Sequence, residues 1–301
     1  MLHTSKRAIL ATRLTAAATG LVVLAGMSAC STTGKAPTSA ASPSSGGGLT
    51  VDKAKQTGSL NIAIGNEPPY TKIDGSGAVT GAEPDVVRAV AQRMGIKTVK
   101  GTVTPYDSMI PGLKAGRWDV VAAGLFMKQS RCSQVIYTSP VIVSTESFGV
   151  APGNPKKILT VADVIKNPKI KVAVLKGSFE EGILDGAKAA DGQKVLVGDA
   201  QTGVETVKSG RADAFLLPTL SLKSLKESAG GIDVTAPIPD APKTGSGAAF
   251  ATTSKPFADA YNAELEKFKK TPEFDQILKK WGFDPDAARH ATVTELCKNK
   301  G

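Results

Sequence analysis

The chain has 301 residues, 41% hydrophobic and 21% charged, enough to bury the cores of one large or two medium domains. Its formal charge of +10 is inflated by Lys6, Arg7 and Arg13 near the N-terminus, and the other cations are scattered, mainly on predicted helix faces. No basic run is interleaved with aromatics, which argues against a nucleic-acid partner.

The three N-terminal cations precede an apolar run from Ala16 to Met27 that ends in Met27-Ser28-Ala29-Cys30. This is the pattern of a signal peptide, assigned to residues 1–29. The run is shorter than the roughly 20 apolar residues that span a bilayer, and no later stretch reaches that length. Because it ends on a cysteine, the segment resembles a bacterial lipobox, with Met27 where leucine is usual. That resemblance implies lipidation of Cys30 and a protein anchored to the membrane by its N-terminus; the alternative is a plain secretion signal. Residues 30–57, rich in Ser, Thr, Ala, Gly and Pro, read as the lipidated N-terminus and a flexible tether.

From Gly58 the pattern alternates. A strand is predicted over 60–64. A helix opens at Pro84 with Val86, Val87, Val90 and Met94 on one face. A strand follows near 98–102, then a helix after Pro105 that turns Met109, Ile110 and Leu113 inward and stops at Gly116, then a strand at 120–122. Such alternation predicts a largely parallel sheet with helices on both faces.

Leu113-Lys-Ala-Gly-Arg-Trp-Asp-Val-Val121 is nearly repeated as Val207-Lys-Ser-Gly-Arg-Ala-Asp-Ala-Phe215. Each copy reads as a helix end, a glycine suited to the left-handed position beyond it, and an entering strand. The repeat points to two similar α/β lobes. The second carries strands at 172–174, 195–197 and 214–217 and helices from Ser178 and from Thr202 to Ser209. The Gly-rich stretch 243–247 then returns the chain to the first lobe, which is finished by amphipathic helices over 256–270 and 272–280. The expected partition is 58–146 plus 244–301 for lobe 1 and 147–243 for lobe 2, with a hinge where the chain crosses twice.

Besides Cys30 only Cys132 and Cys297 remain, an even pair that a disulfide could join in an exported chain. Metal binding is the weaker option, since His290 is the one histidine beyond the signal segment and no ligand spacing is present.

From Gly58 to Gly301 the chain resembles the family 3 extracellular solute-binding proteins of ABC importers. The stretches that carry the resemblance are Gly65-Asn-Glu-Pro-Pro-Tyr70, Gly81-Ala-Glu-Pro-Asp85, Gly124-Leu-Phe-Met-Lys-Gln-Ser-Arg131, Tyr137-Thr-Ser-Pro140, Lys176-Gly-Ser178 and Gly210-Arg-Ala-Asp213. Within that family it is most similar to the ectoine- and hydroxyectoine-binding branch, on Glu67 with Tyr70, on Phe126 where amino-acid binders usually carry threonine, and on Arg131-Cys132. The resemblance implies an α/β, type II periplasmic-binding-protein-like fold, each lobe a mixed, mostly parallel sheet flanked by helices, the two joined by a two-strand hinge. It further implies a monomer that takes up a small zwitterion and delivers it to permease subunits, without cofactor or catalysis.

The site residues implied are Arg131 for a carboxylate, which its planar fork can hold by two parallel hydrogen bonds, and Glu67 for a delocalised cation. Tyr70, Tyr106 and Phe126 would enclose that cation, with Phe179 as a further wall. Gly124 shapes the loop before Arg131, and Gly177 and Ser178 would offer backbone N–H groups and a hydroxyl to the carboxylate. Thr202 could be a site residue or only a helix cap. Amino-acid binders of the family usually place an aspartate where this chain has Pro218, so a primary α-ammonium would lose its usual partner. Three other readings stand beside this one: an amino acid, betaine-like solute or other small cation as ligand; an enzyme on the same fold, resembling cyclohexadienyl dehydratases; and the ectodomain of a ligand-sensing receptor.

Overall fold

The computed structural model describes residues 48–301. The signal segment, Cys30 and the tether up to residue 47 lie outside the described residues. The tether expectation fails at its C-terminal end, because Val51–Thr57 is helical. Thr50 caps this helix by accepting from the Lys53 N–H, and Gly58 ends it at φ 66°. Ala54 packs into the core beside Leu60, so the segment belongs to the folded body.

Two five-stranded sheets organise the chain. In the first, Ser59–Ile64 lies between Thr98–Val103 and Val120–Val121, parallel to both, followed by Ala249–Ala251 and Val135–Tyr137. In the second, Val172–Leu175 lies between Lys194–Val197 and Ala214–Pro218, again parallel to both, followed by Glu146–Val150 and Asp233–Val234. Each sheet has one strand running against the rest, Ala249–Ala251 in the first and Glu146–Val150 in the second. Both are the strands by which the chain arrives from the other lobe. Between the sheets, Ile142–Ser144 and Thr244–Ser246 pair antiparallel, Ser144 opposite Thr244, and form the two-strand hinge.

The central strands are buried on both faces, as parallel strands under two helical layers must be. Leu60, Ile62 and Ile64 point into one apolar cluster while Ala63 points into another with Met109, Leu113 and Trp118. In the second lobe Val172 and Val174 face one cluster, and Ala173 and Leu175 face another with Val204 and Phe215.

The sequence repeat has a physical meaning. Gly116 (φ 69°) and Gly210 (φ 71°) turn the chain out of their helices, which a side chain with a Cβ would resist. Asp119 then accepts the Asn61 N–H at 2.8 Å, and Asp213 accepts the Lys171 N–H at 2.8 Å. In each lobe the repeated aspartate pins the start of the neighbouring central strand.

Some boundaries differ from expectation. The helix expected from Pro84 opens at Ala82. The helix expected at Thr202 opens at Ala200, where Asp199 accepts the Thr202 N–H; Thr202 is exposed, is not the cap and does not line the cavity described below. The helix Thr219–Ala229 was not foreseen.

Cys132 and Cys297 are joined, with Cα atoms 5.9 Å apart. The tail beyond is held at two further points, by the Gln129 N–H on the Asn299 carbonyl (2.8 Å) and by Asn299 Nδ2 on the Lys243 carbonyl (2.9 Å). It ends against the second lobe, where a Cβ on Gly182 would collide with the Gly301 backbone. No helix among the described residues is long and apolar enough to cross a membrane.

Candidate functional site

In both sheets the chain leaves the parallel strands in diverging directions, which opens a crevice at their C-terminal ends. The loops after Ser59–Ile64 and Val120–Val121 face the turns after Val172–Leu175 and Ala214–Pro218. Between them lies a small cavity of about 10 Å³, lined by Glu67, Tyr106, Gly124, Phe126, Arg131, Ser178, Phe179, Glu180 and Pro218. This is far below the several hundred Å³ of a ligand site, so the cleft is all but shut and must open to admit a ligand. Among the described residues no group of three or more His, Cys, Asp or Glu side chains is arranged to hold a metal ion.

Glu67 is 3% exposed. Ser221 Oγ donates to its Oε1 at 2.5 Å and the Tyr106 hydroxyl to its Oε2 at 3.2 Å. Burial dominates nonetheless: it raises the carboxyl to about 7, helped by the negative charge of Glu180 and opposed by the two hydroxyl donors. A carboxylate held this way is stabilised by any cation that enters.

Arg131, 5% exposed, is the third residue of the short helix Gln129–Cys132. Its Nη1 donates to the Phe126 carbonyl and its Nη2 to the Gly177 carbonyl, both at 2.7 Å. The guanidinium therefore spans the two lobes on neutral acceptors, and no ion pair among the described residues includes it. Burial depresses its pKa against the raising influence of Tyr137, Glu180 and Tyr106. A buried cation without an anionic partner favours a ligand carboxylate.

Gly177 and Ser178 do not offer free backbone donors as expected. The Gly177 N–H donates to Glu181 Oε2 at 2.6 Å and the Ser178 N–H to the Leu175 carbonyl at 3.0 Å, while Ser178 Oγ caps the helix Phe179–Gly186 by accepting the Glu181 N–H. Gly177 is absent from the cavity wall. It serves through its carbonyl and its lack of a side chain: φ is 74°, and a Cβ would lie 2.7 Å from Asp107 Cβ in the other lobe. Lys176 pairs with the same Asp107 at 3.2 Å.

Of the aromatic residues, Tyr106 and Phe126 line the cavity with Phe179, which meets Phe126 edge to face at 6.0 Å. Tyr106 opens a helix, Tyr106–Lys114, and does not sit in a loop. Tyr70 is not on the wall. Its ring is buried behind Phe126, edge to face with it at 5.8 Å and with Phe283 at 4.9 Å, and its hydroxyl bonds Ser144 of the hinge. Gly124 explains the placement, since at φ 66° a Cβ would sit 2.9 Å from the Tyr70 ring. The Gly124 N–H donates to the buried Glu83 at 2.9 Å, and Glu83 also binds Ser246 of the hinge.

Several groups at the cleft escaped sequence reasoning. Ser221 lies on the unforeseen helix. Lys128 Nζ crosses the cleft to the Ser178 carbonyl (3.2 Å), 6.0 Å from the Phe179 ring centroid, and burial with the charge of Arg131 lowers it to about 8. Glu180, 3% exposed, faces the cavity from the second lobe, and Glu146 lies buried at its back. The adjoining acid pair Glu180-Glu181 on an expected helix was a visible signal, but it reads equally as ordinary first-turn acids.

Comparison with known proteins places this geometry in context. Residues 60–284 match the profile of the bacterial extracellular solute-binding proteins, family 3. A probable amino-acid ABC transporter periplasmic-binding protein of Sinorhizobium fredii is 32% identical over 264 residues, 84% of this chain and 87% of that protein. The crystal structure of EhuB in complex with hydroxyectoine superposes with a TM-score of 0.79 at 37% identity, covering 82% of this chain and 97% of EhuB. The ancestral amino acid-binding protein AncCDT-1, a precursor of cyclohexadienyl dehydratase, superposes with a TM-score of 0.68 at 25% identity, covering 78% and 100%.

Proposed function

The chain belongs to the family 3 bacterial extracellular solute-binding proteins, and from that premise we propose that it binds ectoine or hydroxyectoine and presents it to the permease of an ABC importer. One observation carries the reading: a single compact cavity holds Arg131, Glu67 and the rings of Tyr106, Phe126 and Phe179. Ectoine is a carboxylate on a cyclic amidinium. Arg131 answers the carboxylate, Glu67 the amidinium, and the aromatic edges and faces exclude water around a flat cation, each worth ~0.5–2 kcal/mol. Tyr70 acts from behind, by fixing Phe126.

In the proposed cycle the ligand meets lobe 1 first, and lobe 2 closes over it by bending at the strands Ile142–Ser144 and Thr244–Ser246, between residues 58–146 with 244–301 on one side and 147–243 on the other. Ligand contacts made better in the shut form drive closure. The proposal includes lipidation of Cys30, which keeps the protein at the extracellular face of the membrane, and release of the ligand unchanged.

Calorimetric titration of the purified protein with ectoine, hydroxyectoine, arginine, glutamine and glutamate tests the ligand. Ectoine or hydroxyectoine should bind tightest, and tighter binding of any of the three amino acids sinks the assignment. An amino-acid ligand is the second reading, favoured by the likeness to the Sinorhizobium fredii relative, a probable amino-acid ABC transporter periplasmic-binding protein. Recovery of chemically unchanged ligand from the complex separates binding from turnover.

A further inference from the structure

Pro218 leaves the end of its strand without a carboxylate, yet the second lobe does present one to the cavity. Glu180 stands in the first turn of the helix Phe179–Gly186, where the helix dipole favours an anion. It is 3% exposed, lines the cavity, stands within hydrogen-bond reach of the Glu146 carboxyl and feels the charges of Arg131 and Lys128. Behind it, Glu146 is 1% exposed at the start of the strand Glu146–Val150. Its Oε1 accepts from Thr244 Oγ1 at 2.9 Å, while its Oε2 is buried without a partner of its own. An orphaned buried oxygen beside a second carboxyl is satisfied when it carries a proton and donates it across. Burial first, and then the charge of Glu180, push the Glu146 carboxyl well above the usual range, in keeping with a proton on its orphaned Oε2.

We infer that Glu180, held by Glu146, is a second cation-binding carboxylate, facing Glu67 across the cavity, so that the positive end of the ligand is gripped by one acid from each lobe. This deepens the ligand class proposed above and rests on it. A cyclic amidinium carries two N–H groups on opposite edges, and Glu67 from lobe 1 and Glu180 from lobe 2 can each accept one. Without a ligand the two acids repel each other as the lobes close, a repulsion that Arg131 and Lys128, both close enough to feel the charge of Glu180, offset only in part. With one between them the repulsion becomes attraction, and the shut form gains stability only when the correct charge is present. The arrangement moves the second-lobe anion from the strand end to the neighbouring helix turn.

The test compares the isosteric variant Glu180→Gln with the unmodified protein, using ectoine, hydroxyectoine and L-arginine as probes in calorimetry and the ligand-free protein in thermal melts. Affinity for whichever probe binds the unmodified protein should fall roughly 10- to 100-fold, while the ligand-free melting temperature stays level or rises because a repulsion is gone. Unchanged affinity overturns the inference. So does a fall in affinity accompanied by a lower ligand-free melting temperature, which marks a structural role. Binding of arginine alone would refute the ectoine assignment and leave the Glu180 comparison intact. A ligand-independent measurement completes it: carboxyl NMR titration of the ligand-free variant should show Glu67 ionising at lower pH than in the unmodified protein, and an unmoved titration also overturns the inference.

Discussion

The Ser221 hydroxyl donates to Glu67 Oε1 at 2.5 Å, so a carboxylate rooted in the first lobe is held by a helix of the second. Around that bond a buried acid is kept near the middle of the pH scale, raised from 4.5 to about 7 chiefly by burial. The folded value lies above the unfolded one. The contribution of Glu67 to stability is therefore full below about pH 4.5 and is lost as pH rises through about 7. Thermal melts of the ligand-free protein should show this decline between pH 5 and 8, and Glu67→Gln should flatten it.

Ligand affinity should run the opposite way. A cation between Glu67 and its neighbours favours the ionised acid, so binding below pH 7 must expel a proton, and affinity weakens as pH falls towards 5. The groups facing Glu67 are the donors Ser221 and Tyr106 and the charge of Glu180. Calorimetry in buffers of different ionisation enthalpy should report proton release at pH 6. Equal apparent enthalpies in those buffers would refute it.

Arg131→Lys keeps a charge but cannot reach the Phe126 and Gly177 carbonyls while offering a planar fork to a ligand. Affinity should drop about 10- to 100-fold. Arg131→Ala should abolish measurable heat with any ligand that titrates the unmodified protein, and near-unchanged affinity in either variant would remove Arg131 from the site.

Gly124→Ala places a side chain at φ 66° and 2.9 Å from the Tyr70 ring. Strain of this kind costs ~1–3 kcal/mol, and the collision adds to it. The denaturation midpoint should fall, and ligand affinity with it, since Tyr70 positions Phe126.

Mild reduction, or paired replacement of Cys132 and Cys297 by serine, opens a cross-link between residues 165 positions apart. By chain entropy, closing a loop of that size is worth about 5 kcal/mol, against a typical ~2–4 kcal/mol for a native cross-link, so the melting temperature should fall by several degrees. An unmoved melt would show that the tail contributes nothing to the body.

The fold and the polar ends of the cavity were legible in the sequence for a common reason. Strand-to-loop transitions announce themselves through glycine and proline, and Glu67 and Arg131 stand just past such transitions. What failed was direction. Tyr70 occupies a loop position like that of a wall residue, but whether its ring faces the cavity or the core is settled by Phe126, Phe283 and Ser144, none of them nearby in the chain. The Gly177 and Ser178 donors were misjudged because Glu181, an ordinary-looking helical acid, folds back on one of them. Ser221 was invisible because its partner is 154 residues away.

The two reversed strands also set an order of assembly. Glu146–Val150 precedes every other strand of the second sheet, so that sheet has all its pieces once Asp233–Val234 has been made. The first sheet does not: Val135–Tyr137 is joined to it through Ala249–Ala251 alone, a strand that emerges after the whole second lobe. Lobe 2 can thus close as a unit on a growing or translocating chain, whereas lobe 1 waits with an open edge for its return strand. Long-range pairing of this kind is slow and leaves sticky edges meanwhile, and in this protein that exposure falls on the half that carries Glu67 and Arg131.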